Sequence, residues 1–137
     1  MTRNEEHKLI MTVIYDELVD SLYGENKISR DAFDLASLLA EVEDKQEVSE
    51  FVKKSIYESL NNYGKAVNTF TPFLTNWKWE RLPTLTQAIL IKSYAHFYFV
   101  EKVDKHVVIN VAIELAKTYV DPAQAKFINA ILDKVLN

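Results

Sequence analysis

The chain has 137 residues, 48% of them apolar and 26% charged, which suits one domain able to bury a core without staples. It contains no cysteine, so disulfides, thiol catalysis, Fe–S clusters and thiolate zinc sites are excluded. The polar opening Met1-Thr2-Arg3-Asn4-Glu5-Glu6 is no signal peptide, and Lys92 and His96 interrupt the longest apolar stretch, Ala88 to Val100, short of the ~18 residues of a membrane span. A soluble, cytoplasmic protein with no membrane association is expected. Two glycines and three prolines, and no alternating β-branched pattern, make helices the default. Charge is unevenly divided: residues 1–60 hold 7 basic and 14 acidic side chains, residues 61–137 hold 9 and 6. A polyanion would favour the second half, and the formal net charge of -4 argues against a strong nucleic-acid binder acting alone.

In chain order, Leu9, Ile10, Val13, Ile14, Leu18 and Leu22 form a helical stripe, with Glu5 and Glu6 in the first turn and Gly24 as the stop. Ser29 is the expected N-cap of a second helix carrying Phe33, Ala36, Leu39 and Val42. After the charged loop Glu43–Glu47, a third helix presents Val48, Phe51, Val52, Ile56 and Leu60 and ends near Gly64. A shorter element carries Val67, Phe70, Phe73, Leu74 and Trp77, with Pro72 kinking it or opening a new turn. Residues Trp77 to Pro83 read as a connector. Thr84 is the expected cap of a long helix to about Val100, apolar nearly all round and therefore central. Asp104 caps the next helix. Asp121-Pro122-Ala123-Gln124 then sets a cap, a first-turn proline and a capping-box glutamine before Phe127, Ile128, Ile131, Leu132 and Val135. The expectation is an all-α chain of about seven helices.

Catalytic signatures are missing. Gly24 and Gly64 cannot build a phosphate loop, no metal-ligand spacing occurs, and His7, His96 and His106 are scattered as ordinary surface or partly buried histidines. What remains are binding features. Trp77, Lys78, Trp79 and Arg81 interleave rings with cations, as base stacking and phosphate contact require, although spacing alone favours tryptophans that seal a helix corner. Lys126-Phe127 lies in the opening turns of the last helix, where backbone N–H groups favour anions, against the alternative of a core ring beside a solvated lysine. Asn110 and Asn129 interrupt apolar runs and read as buried, internally satisfied amides.

The second half resembles the NusB family of bacterial transcription antitermination factors. The residues that carry the likeness are Val108-Ile109-Asn110-Val111-Ala112-Ile113-Glu114-Leu115-Ala116-Lys117 and Lys126-Phe127-Ile128-Asn129-Ala130-Ile131-Leu132-Asp133-Lys134. Trp77, Arg81 and Leu82 upstream, and Ile14-Tyr15 in the first helix, fall where the family places comparable residues. The resemblance implies two small helical bundles packed side by side, roughly residues 1–78 and 79–137 of a single domain. It also implies binding of boxA-type RNA of the rRNA leader with NusE, a ribosomal protein, in the transcription elongation complex, without cofactor or catalysis. Carried over by position, RNA contacts fall on Arg3, Lys8, Lys126 and Phe127, and the partner face on Tyr15 and Thr86. Some family members form a homodimer over the RNA face.

The chain departs from its relatives in several places. The stretch Thr2 to Lys8 is formally neutral where they carry several arginines; Thr86 stands for an acidic residue, Ile91 for arginine, His96 for glutamate, Val111 for glutamate and Ala130 for glycine. These changes raise a second reading, a NusB-fold protein-interaction module without direct RNA contact. A third is the RNA-recruiting domain of an rRNA methyltransferase.

Overall fold

A computed structural model of the chain describes residues 1–23 and 34–137. Among them lie seven α-helices: α1 (Arg3–Tyr23), α2 (Leu35–Lys45), α3 (Glu50–Asn61), α4 (Tyr63–Phe70), α5 (Thr84–Ala95), α6 (Lys105–Tyr119) and α7 (Pro122–Val135). Thr71–Phe73 and Trp79–Arg81 are short 3₁₀ turns, and His96–Val100 prolongs α5 as a π-turn. The described residues hold no strand, and none of their helices is long and apolar enough to cross a membrane.

Helix ends follow local chemistry where a short polar side chain can reach a free N–H. Asp104 accepts from His106 N at 2.8 Å and Asp121 from Gln124 N at 2.7 Å, with Pro122 opening α7 as expected. Pro72 likewise starts a new turn at the end of α4. Four expectations need correction. Thr84 is the first residue of α5 rather than its cap, because Pro83, lacking any side-chain acceptor, occupies that position. The break between the third and fourth helices falls at Asn62, whose amide folds back on the Glu58 carbonyl at 2.8 Å; Gly64 lies inside α4. On α2 the buried face is Leu38 and Val42, while Ala36 is exposed; Asp34 caps this helix, and Ser29, Phe33 and Gly24 lie outside the described residues. Asn110 and Asn129 are both exposed, so their amides find water rather than internal partners.

Helix α5 occupies the centre. Every residue from Thr86 to Ala95 is buried, because α1, α3, α6 and α7 pack around it. Ile10, Ile14 and Leu18 of α1 are fully buried against it, each stabilising the fold by roughly 1.5–3 kcal/mol. That apolar face anchors α1 although its outer side is acidic. A single apolar cluster runs from α1 through to Leu136. Helices α6 and α7, joined by only Val120 and Asp121, fold into a hairpin.

Candidate nucleic-acid interface

The start of α1 is organised by a reciprocal capping box. Glu5 N donates to Thr2 Oγ1 at 3.1 Å and Thr2 N donates to Glu5 Oε1 at 2.8 Å. Hydrogen bonding by Thr2, its backbone N–H first and its side chain second, holds the Glu5 carboxyl below its ordinary range. Glu6 accepts a hydrogen bond from Ser49 Oγ and lies 3.8 Å from Arg3. Both N-terminal carboxylates are thus engaged in local structure. The two nearby cations differ. Arg3 stacks its guanidinium 3.7 Å from the Phe51 ring centroid on α3. Lys8 is exposed, has no acidic partner among the described residues, and lies 5.5 Å from the centre of the Tyr119 ring at the end of α6.

Between these two helices runs a groove of about 480 Å³, lined among others by Asn4, Lys8, Asn110, Val111, Glu114 and Tyr119. It exists because α1 packs chiefly on α5 and α3, leaving its N-terminal turns beside α6 without filling the gap. Its lining joins apolar surface, the Tyr119 ring, the Asn4 and Asn110 amides and the Lys8 cation with two carboxylates, Glu5 and Glu114, so it suits a planar ring with one phosphate held at the Lys8 end. The Lys8–Tyr119 meeting joins opposite ends of the chain, and only the basic character of Lys8 was visible beforehand.

The other expected positions are spread around this groove. Lys126 is exposed and Phe127 half-buried on α7, a turn or so beyond Tyr119 across the hairpin, and neither lines the groove. Tyr15 is half-buried against the core. Thr86 is fully buried and donates to Gln124 Oε1 at 2.8 Å. The glutamine therefore does not reach back to its own cap as a capping box would; it ties α5 to α7. Thr86 can influence the surface only through that side chain.

Beneath the α1 terminus lies a feature the sequence did not announce. His7 and His96, expected at the surface or partly buried, are buried, and so is Lys92. Lys92 Nζ meets His7 Nδ1 at 2.9 Å, His96 Nε2 meets Glu101 Oε1 at 2.9 Å, and Phe51 packs T-shaped against both imidazoles. Burial pushes Lys92 down to about 7. Burial first, and the positive neighbour Lys92 second, push His7 down to about 3. His96 is also lowered, burial outweighing the bond to Glu101. No group of three or more ligating side chains able to hold a metal occurs among the described residues. His106 is exposed.

The tryptophan pair divides. Trp79 is buried, stacks on Phe70 at 6.0 Å and donates from Nε1 to Tyr63 Oη at 3.2 Å, while Trp77 stays 58% exposed.

An all-helical fold wound about one buried central helix, with a cation–aromatic groove at the α1–α6 end, defines the class of protein. Residues 5–137 match the NusB family, and the chain belongs to it. It is 36% identical over 92 residues to the transcription antitermination protein NusB of Bacillus licheniformis, covering 67% of this chain and 71% of that one. A likeness to the same protein of Alkaliphilus oremlandii, at 25% identity, covers 98% and 92%. Among solved structures, T. maritima NusB superposes with a TM-score of 0.79 at 20% identity, over 99% of this chain and 91% of that one. A chain from a crystal structure of antitermination factors NusB and NusE in complex with dsRNA gives 0.70 at 20%, over 99% and 98%. These two likenesses establish the fold.

Proposed function

We propose that this chain is an RNA-binding antitermination factor that engages boxA-type RNA of the rRNA leader together with NusE, in the transcription elongation complex. The observation that carries the reading is the groove where Lys8 faces the Tyr119 ring, a few residues before Lys126 and Phe127. Its support is family membership, the antitermination role that the curated relatives are named for, and the solved NusB–NusE–dsRNA complex that shares the fold. The RNA contacts proposed are Lys8, Lys126 and Phe127, with Arg3 held against Phe51 as a positioning residue. The partner face is placed at Tyr15, beside the acidic Asp16, Glu17, Asp20 and Glu41 that line a cleft between α1 and α2 and would complement a basic ribosomal protein. Thr86 contributes there by holding Gln124. Residues 1–137 act as one unit, and its two halves meet in the connector near Trp77. No cofactor or catalytic step is assigned.

The test is titration of fluorescent boxA RNA at two salt concentrations, with and without NusE. Tight binding with NusE is expected, and Lys8→Ala and Lys126→Ala should each weaken it and reduce the salt slope by about 0.7. A second reading, a protein-interaction module, is favoured by one observation: Arg3 is turned to Phe51 and Glu6, so the terminus presents few free cations. NusE binding with no RNA binding would establish that module instead. RNA affinity that falls as protein concentration rises would reveal a homodimer covering the groove.

A further inference from the structure

The connector between α4 and α5 carries two tryptophans that the fold treats differently. Trp79 is fixed from three sides, by Phe70 stacking, by Tyr63 Oη, and by Gln87 Nε2, which donates to the Trp79 carbonyl at 3.0 Å and to the Leu82 carbonyl at 3.1 Å. The 3₁₀ turn adds Arg81 N to Lys78 O at 3.0 Å and Leu82 N to Trp79 O at 3.1 Å. Trp77, two residues before this anchor, is 58% exposed. It borders a hollow of about 360 Å³ lined by Thr75, Asn76, Trp77, Lys78 and Arg81. Lys78 and Arg81 are exposed and pair with no carboxylate among the described residues; Glu80 does not line the hollow. The connector is thus a rigid mount that holds an indole in water beside two free cations.

We infer that this hollow is a second contact for single-stranded RNA, in which one base stacks on Trp77 while Lys78 and Arg81 hold the flanking phosphates. The inference goes beyond the α1–α6 groove but rests on the chain being an RNA binder. An exposed indole is a poor feature of a merely structural corner, since Trp79 already seals that corner. It is a good stacking platform, because every base has a π-face and the ring loses little freedom when covered. The planar Arg81 fork suits phosphate oxygens, and Lys78 supplies a point charge. Thr75 and Asn76 add hydroxyl and amide groups for base edges. An acidic peptide would use the two cations but leave the indole with no matched surface.

The experiment uses the full chain with NusE and a single-stranded boxA oligoribonucleotide, with polyglutamate as the competing probe. The chain has only two tryptophans, so unlabelled RNA should quench the emission of Trp77, and Trp77→Phe, which leaves only buried Trp79, should abolish the quench. Trp77→Ala should weaken RNA binding about tenfold and Trp77→Phe about twofold or less, since a ring still stacks. Lys78→Ala and Arg81→Ala should each lower the salt slope by about 0.7. Unchanged helical circular dichroism in each variant ties these effects to the surface. RNA binding that depends on Lys8 and Lys126 but is indifferent to Trp77→Ala overturns this inference and leaves the groove standing. No RNA binding by the unaltered chain overturns both. Quenching by polyglutamate but not by RNA assigns the hollow to an acidic protein partner and overturns the inference as well.

Discussion

The two ends of α5 solve the same problem with opposite chemistry. Both place polar side chains in the centre of the molecule. At the N-terminal end the groups are neutral: Thr86 on Gln124, Gln87 on two carbonyls, and Trp79 on Tyr63. At the C-terminal end they titrate: Lys92 on His7 and His96 on Glu101, with His96 Nδ1 lacking a hydrogen-bond partner among the described residues. Neutral networks fix a corner at any pH. Ionisable ones hold the neutral state only by lowering a pKa, and the fold loses stability when protons are plentiful. The first end therefore mounts the connector rigidly, and the second puts a pH-dependent cluster beneath the α1 terminus.

The largest effect should come from breaking the neutral end. Gln87→Leu keeps the volume but removes the side-chain donor shared by the Trp79 and Leu82 carbonyls, both on buried residues. A loss of about 2–4 kcal/mol is expected, read as a lower urea midpoint at unchanged slope. A loss under about 0.5 kcal/mol would mean the corner is held by the Phe70 stack and the Tyr63 hydrogen bond without Gln87.

Next comes the pH response of the titrating end. Lys92 is lowered from 10.5 to about 7 on folding. Between those values the unfolded chain binds the extra proton, so stability rises with pH across that window and the penalty is fully present below about 7. From pH 7 to 9 the gain should be about 2–3 kcal/mol, at about 1.4 kcal/mol for each pH unit. His7, lowered from 6.5 to about 3, has the same sign lower down: stability falls as pH drops from about 6.5 toward 3. Urea titrations at pH 5, 7 and 9 check both, and a flat profile above pH 7 would show that Lys92 reaches water. Lys92→Met sharpens the point. Removing the buried amine should stabilise the chain by about 1–2 kcal/mol at pH 7, net of the donor His7 loses, and flatten the rise between pH 7 and 9.

What could be read beforehand divides along the same line. The caps Asp104 and Asp121, the turn at Pro72 and the central character of α5 are local matters of spacing and short side chains, and they stand in the structure. Lys92 looked like an interruption of an apolar run because its partner, His7, lies 85 residues away in sequence. The groove escaped for the same reason, since Lys8 and Tyr119 meet only once α1 and α6 are placed around α5. Arg3 was legible as a cation, but its packing on Phe51 depends on where α3 is placed. Trp77 and Trp79 are equivalent in composition; the reach of Phe70, Tyr63 and Gln87 separates them.

The smallest effect returns to the neutral end and tests whether it too is uniform. Thr86→Val deletes the hydroxyl that donates to Gln124 Oε1 while keeping the shape that fills the core. Thr86 itself is fully buried, but Gln124 is half-buried and its amide can turn to water. No buried group is then stranded, and the cost should be only about 0.5–1 kcal/mol. With the tie gone, Gln124 is free to move at the start of α7, the turn that precedes Lys126 and Phe127. Weaker NusE binding with unchanged RNA binding would place Gln124 on the partner face; weaker RNA binding with NusE binding unchanged would move it to the RNA side.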